Sequence, residues 1–107
     1  MKKVFIDKIV IPQNAIEQVM ERLNYNTEFL QKQPGLIENM HYERPDEQGN
    51  LVIVTVATWE NASAVEQARA AVQEDYQRMG INLTEKLKEW GVTMDRGLYE
   101  VREKYSA

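Results

Sequence analysis

The 107-residue sequence predicts an α+β fold in which two main helices cover one face of an antiparallel sheet, in the order strand, helix, strand, strand, helix, strand. Three observations predict it. Runs rich in β-branched side chains take turns with runs whose apolar residues recur at helical spacing. Helix-start signals, a polar residue followed three positions on by Glu, stand at Asn14, Ser63 and Asn82. Turn formers fall between the runs, at Pro34-Gly35, from Pro45 to Asn50, and at Gly80 and Gly91.

Residues 4–11 form the first expected strand, which stops at Pro12 because proline has no N–H to give a ladder. The first helix opens at the Asn14–Glu17 signal, shows Ile16, Val19, Met20, Leu23 and Leu30 at helical spacing, and ends at Pro34-Gly35. Inside it, Asn24, Tyr25, Asn26 and Thr27 are four consecutive weaker helix formers. Such a local conflict marks either a functional stretch, with Asn26 or Tyr25 reaching a pocket, or a tolerated surface segment. Residues 36–44 and 51–60 read as a hairpin around the Pro45–Asn50 turn. The second helix starts at Ser63–Glu66 and carries Ala62, Val65, Ala68, Val72, Tyr76 and Met79 on one face. A short third helix runs from Asn82 to near Gly91, with Trp90 plugging it into the core, and Val92–Arg102 is the last strand, of weak alternation. Asn61-Ala62-Ser63 and Asn82-Leu83-Thr84 match the glycosylation acceptor pattern, but their place at helix starts makes capping the expected role.

At this length one domain spanning residues 1–107 is expected. The net charge of -4, with basic residues scattered, offers no footprint for a phosphate backbone, so nucleic acid is not an expected partner. No run reaches the about 18 apolar residues that span a bilayer, and the first residues lack the apolar centre of a secretory signal. A soluble cytoplasmic protein with no membrane partner is expected. The chain has no cysteine and one histidine, His41, which excludes thiolate chemistry and a multi-histidine metal cage within one chain.

Strand 51–59 is apolar on both faces: Leu51, Ile53, Thr55, Ala57 and Trp59 share one, and Val52, Val54, Val56 and Thr58 the other. The first strand behaves alike, with Phe5, Asp7, Ile9 and Ile11 opposed to Val4, Ile6, Lys8 and Val10. A half-solvated antiparallel strand would alternate apolar with polar. Two helices cover one side only, so the Val-rich side is expected to meet the same face of a second copy in a homodimer; the competing reading is that Lys8 and Thr58 keep it wet.

The run Phe5-Ile6-Asp7-Lys8-Ile9-Val10-Ile11-Pro12, the helix closing in Gln33-Pro34-Gly35-Leu36, and the strand ending in Thr58-Trp59-Glu60-Asn61-Ala62 resemble the antibiotic-biosynthesis-monooxygenase family over nearly the whole chain. The resemblance implies a ferredoxin-like protomer that pairs sheet to sheet as a dimeric α/β barrel, with a pocket between sheet and helices in each protomer. It also implies oxygenation of phenols or quinols with neither metal nor flavin in one branch and heme degradation in another. The heme branch asks for asparagine on the first strand, the tryptophan, and a histidine on the second helix, where this sequence has Asp7, Trp59 and Arg69. The polyketide branch asks for an amide before the tryptophan and a tyrosine on the second helix, where Thr55 and Val65 stand. Arg69 cannot give a lone pair to iron, so heme degradation is not expected.

Asp7, on a face expected to meet the helices, is costly to bury unless paired or protonated. It reads as a general base or as half of a structural pair with Arg69 or Lys8. His41 on the second strand reads as an alternative base or a half-exposed strand histidine. Trp59, Thr55, Arg69 and Asn26 are the candidate substrate-binding residues, with Trp59 a stacking surface or a core residue. The expected function is a cofactor-independent monooxygenase of a small aromatic quinol or phenol; the alternative is a non-catalytic dimeric protein that binds a small ligand.

Overall fold

The structure, a computed structural model, describes residues 1–105. Strand β1 (Lys3–Ile11) ends at Pro12, and a 3-10 turn over Gln13–Ala15 leads into helix α1 (Ile16–Gln31). That turn overrides the expected Asn14 cap. It is closed by the Ala15 N–H donating to the Pro12 carbonyl at 2.9 Å, and Ala15 holds the cap position of α1 with no side-chain bond. Strands β2 (Leu36–Pro45) and β3 (Leu51–Trp59) form the expected hairpin. Its turn is fastened by Asp46, whose carboxylate accepts from the N–H groups of Gln48 and Asn50 at 2.9 Å each.

Helix α2 (Ala62–Met79) is capped by Asn61, not Ser63: Asn61 is extended and its side-chain oxygen accepts from the Ala64 N–H at 2.8 Å. Helix α3 (Leu83–Glu89) is capped as expected, by Asn82 accepting from Glu85 at 3.1 Å. Both asparagines of the acceptor pattern are therefore helix caps. Strand β4 (Thr93–Tyr99) is shorter than Val92–Arg102. Val92 still donates to the Leu87 carbonyl at the end of α3, at 2.9 Å, and β1 offers ladder partners only as far as Tyr99, after which Glu100 is held by the Lys3 ammonium.

All pairings are antiparallel, in the order β2-β3-β1-β4, which is the ferredoxin-like arrangement. The β2 ladder carries one irregularity, a bulge between Leu36 and Glu38 that leaves Ile37 without a partner on β3. Just before it, Gly35 adopts φ +91°, and a Cβ there would lie 2.5 Å from the Ala64 Cβ. Only glycine lets the turn seat against the first turn of α2.

The core on the helix side comes in two parts. Ile9, Ile11, Ala15, Val19 and Ile53 form one, with Trp90 of the α3 end packed against it as expected. Ala57, Trp59, Ala64, Val65 and Ala68 form the other, joined by Phe5, Leu30 and Leu36. Between them the sheet carries polar side chains, which define the site described below.

Among the described residues, no helix covers the opposite face of the sheet. The registers put Val4 and Ile6 of β1, Val54 and Val56 of β3, Met40 and Tyr42 of β2 and Tyr99 of β4 there together. Tyr42 is 55% exposed and Tyr99 53%. Tyr99 leans across Gly97, where a Cβ would come within 2.7 Å of its ring. Val52 differs from the sequence expectation in being buried already within one chain, at 4% exposure, so the open apolar surface centres on Val54 and Val56 instead. No helix among the described residues is long and apolar enough to cross a membrane.

Candidate functional site

Antiparallel register builds the floor of the site. Arg96 of β4 stands opposite Asp7 of β1, Asp7 opposite Thr55 of β3, and Thr55 opposite His41 of β2. All four point toward the helices, so one polar row crosses the sheet from edge to edge, with neighbours about one strand spacing apart, ~4.8 Å. The first core cluster walls one side of this row and the second walls the other. Helices α1 and α2 roof it. The result is a cavity of about 690 Å³, lined among others by Phe5, Leu23, Leu30, Trp59, Val65 and Tyr76.

Asp7, His41, Asn26, Thr55, Trp59 and Arg69 all line this one cavity, whereas Tyr25, offered beside Asn26, is not among its lining residues. Their surroundings differ. Asp7 is nearly covered, its side chain 13% exposed, and both of its oxygens accept from Arg96, from Nε at 2.9 Å and Nη2 at 3.1 Å. The bidentate pair corrects the expected partner, which was Arg69 or Lys8. Lys8 points to the opposite face beside Asp95, while the Arg69 guanidinium stacks over the Phe5 ring at 5.6 Å. The Arg96 guanidinium lies over the same ring at 5.2 Å. Phe5 is thus the platform for both arginines, one of which neutralises Asp7.

His41 sits at the rim, on edge strand β2, open to solvent on one side. Desolvation against the cavity wall lowers its pKa below the usual 6.5. The imidazole is therefore neutral near pH 7 and has a lone pair available. Trp59 is 3% exposed and belongs to the second core cluster, so the two readings of it coincide: it is core, and its surface is also cavity wall.

Two residues of the weak-helix stretch in α1 make contacts to α2. The Tyr25 hydroxyl donates to Asp75 at 2.8 Å, and Asn26 accepts from the Tyr76 hydroxyl at 2.6 Å. Thr27 donates back to the Leu23 carbonyl at 2.8 Å. Asp75 is held below the ordinary carboxylate pKa, first by the Arg78 guanidinium at 2.6 Å and then by Tyr25, whose own phenol is pushed up by the same carboxylate. The second helix does present a tyrosine to the cavity, Tyr76, about three turns beyond Val65 where the family pattern placed one.

Sequence reasoning missed Arg22, Asn39 and Arg96. Asn39 shares the strand parity of His41, and Arg22 lies one turn before Asn26 on the same helix face, so periodicity extended from those two residues would have reached both. Arg96 had no such signal, because the alternation of the last strand is interrupted by Gly97.

No protein-family profile matches the chain, and no curated protein does. The likeness is to solved structures. A variant of SnoaB, a cofactor-independent oxygenase from Streptomyces nogalater, superimposes with a TM-score of 0.73 at 18% identity, covering 96% of this chain and 95% of that one. A dimeric ferredoxin-like protein from an uncultured marine organism gives 0.71 at 10% identity, over 97% and 98%. A Deinococcus radiodurans protein provisionally assigned as an antibiotic biosynthesis monooxygenase gives 0.68 at 16% identity, over 98% and 97%. The chain has the ferredoxin-like fold of the antibiotic-biosynthesis-monooxygenase-like proteins, and what it does rests on its own site.

Proposed function

We propose that the chain is a cytoplasmic, cofactor-independent monooxygenase of a small aromatic phenol or quinol, working as a homodimer with one cavity per protomer. The observation that carries this reading is the polar row on the floor of a cavity with aromatic walls, Phe5, Trp59 and Tyr76 among them, with a neutral imidazole at its open end. His41 takes the phenolic proton. The electron-rich phenolate then reduces O2 directly: one oxygen atom becomes bonded to a ring carbon, and the other leaves as water with the hydrogens of the ring C–H and the O–H. Phenol plus O2 gives quinone plus water, so the balance needs no outside reductant. Trp59 and Phe5 bound the flat ring, Asn26 and Arg69 orient it, and Thr55 can donate to an oxygen above the floor. Asp7, with both oxygens engaged by Arg96, acts as a positioning residue, and His41 is the base.

A second reading, a non-catalytic dimeric protein that binds a small aromatic ligand, draws on that same engagement, since it removes one of the two candidate bases. The test is oxygen uptake by metal-stripped, flavin-free protein with 1-naphthol and 1,5-dihydroxynaphthalene. The expected result is quinone formation matched one to one by oxygen consumed, falling about 100-fold or more in His41→Ala. Binding of both compounds with no oxygen consumed overturns the oxygenase reading in favour of the second.

A further inference from the structure

We infer that the cavity selects an aromatic ligand bearing both an anionic oxygen and a hydrogen-bond donor, the anion held by Arg22 of α1 and the donor by Asn39 of β2. This rests on the reading that the cavity binds a flat aromatic compound, and it names the class of compound.

Two polar atoms among the described residues are buried with no hydrogen-bond partner, Arg22 Nη1 and Asn39 Oδ1, and both residues line the cavity. A buried donor or acceptor left unpaired is rare and calls for a partner. The surroundings of Arg22 explain why no protein group supplies one. Its guanidinium lies over the Tyr25 ring at 4.8 Å and the Tyr76 ring at 5.7 Å, contacts that hold a cation flat but give its N–H groups no acceptor. The Tyr25 hydroxyl is committed to Asp75, and the Tyr76 hydroxyl to Asn26. The Asp75 carboxylate is taken by Tyr25 and Arg78. Neither tyrosine hydroxyl nor the Asp75 carboxylate is bonded to Arg22, although the carboxylate acts on it through its charge, and Arg22 Nη1 is left without a partner at the cavity wall.

Asn39 sits opposite Ala57, two residues before His41 on the same strand face. Its free oxygen therefore lies on the cavity floor near the proposed base, where it would accept from a ligand hydroxyl. The unpaired cation is on the helix layer and the unpaired acceptor on the sheet layer, so one ligand meeting both spans the cavity. A hydroxylated aromatic carboxylate has that chemistry, and a neutral phenol lacks half of it.

Calorimetric titration with 6-hydroxy-2-naphthoic acid, 2-naphthoic acid and 2-naphthol separates the two contacts. The unmodified protein is expected to bind the hydroxy acid about tenfold or more tighter than 2-naphthol. Arg22→Met should erase that advantage while changing 2-naphthol affinity by less than about twofold, and Arg22→Lys, which keeps the charge without the fork, should restore part of it. Asn39→Leu should weaken the two hydroxylated probes and spare 2-naphthoic acid. The inference is overturned if the hydroxy acid binds no tighter than 2-naphthol, if none of the three binds, or if the Arg22 variants weaken all three alike. Should Arg22→Met not fold, Arg22→Lys decides: loss confined to the two acids supports the assignment, and uniform loss overturns it. Charge-selective binding without oxygen uptake defeats the oxygenase reading and leaves this one standing; oxygen uptake without charge selectivity does the reverse.

Discussion

The imidazole of His41 on the cavity floor has its ordinary pKa of 6.5 near the physiological range, and desolvation moves its change of charge to the acid side of that value. The sign follows directly. A base must be neutral to accept a proton, so oxygen uptake with 1-naphthol should rise with pH, reach half its plateau below pH 6.5, and stay flat between about pH 7 and 8. A pH profile checks this, and a midpoint above 7 would remove His41 from the role. The same shift makes a small contribution to stability that is present above pH 6.5 and lost as pH falls through the folded-state pKa, because the folded protein resists protonating a desolvated ring. Asp75 is also shifted downward, and its contribution to stability is present above pH 3.8 and lost as pH falls from there through the lower folded-state pKa. At this scale strand parity put Thr55 and Trp59 on one face, because side chains two apart share it, and His41 stood out as the lone histidine of the sequence. The pairing of Asp7 with Arg96 was not legible: the two are 89 positions apart, and only the β1–β4 register brings them together.

Helices α1 and α2 are joined by two adjacent side-chain bonds, Tyr25 to Asp75 and Tyr76 to Asn26, with the Arg22 guanidinium against both rings. Removing the Tyr76 hydroxyl takes away the bond to Asn26, and removing that of Tyr25 leaves Asp75 with Arg78 alone. Tyr76→Phe is therefore expected to destabilise the protein by about 1 kcal/mol in urea unfolding, and Tyr25→Phe similarly. The two losses should not add in the double variant, since they share Arg22 and neighbouring positions on both helices; additivity would mean that the bonds act independently. The helices themselves were legible from apolar spacing and from Gly and Pro at their ends. Their first residues were less so, because the pattern of a polar residue followed by Glu occurs near a better cap at Asn61, and because a 3-10 turn intervenes after Pro12. The stretch from Asn24 to Thr27 illustrates how weak helix formers can be held in place by tertiary bonds that propensity does not register.

For the molecule as a whole, the principal extents of 41 × 39 × 18 Å describe a slab about one helix and one sheet thick, with its broad apolar face uncovered. We expect that face to close against its copy, and the contact should fail when a charge is placed at its centre. Sedimentation velocity at micromolar concentration is expected to give twice the 12.5 kDa chain mass for the unmodified protein and the chain mass for Val54→Lys. A monomer in both cases would leave the sheet face wet. The two-faced strands forecast this surface correctly in kind but not in detail. Val52 has the outward parity, yet one chain already buries it, and the exposed aromatic area comes from Tyr42 and Tyr99, which alternation on weakly patterned edge strands did not pick out.

The bulge at Ile37 has a consequence for how this chain can change length. Leu36 already pairs with Trp59, Glu38 with Thr58 and Asn39 with Ala57, so Ile37 is a spare residue between two correctly phased segments. Its loss is a deletion in β2 that leaves the ladder regular and every remaining side chain on its present face. Loss of a single residue between Glu38 and Arg44 would instead invert part of the strand, and could carry Asn39 or His41 out of the cavity and onto the opposite face. Tolerance to deletion in β2 is thus concentrated at one position. The exchange has a drawback, because an uninterrupted edge strand is a better template for a neighbouring molecule's backbone than a bulged one.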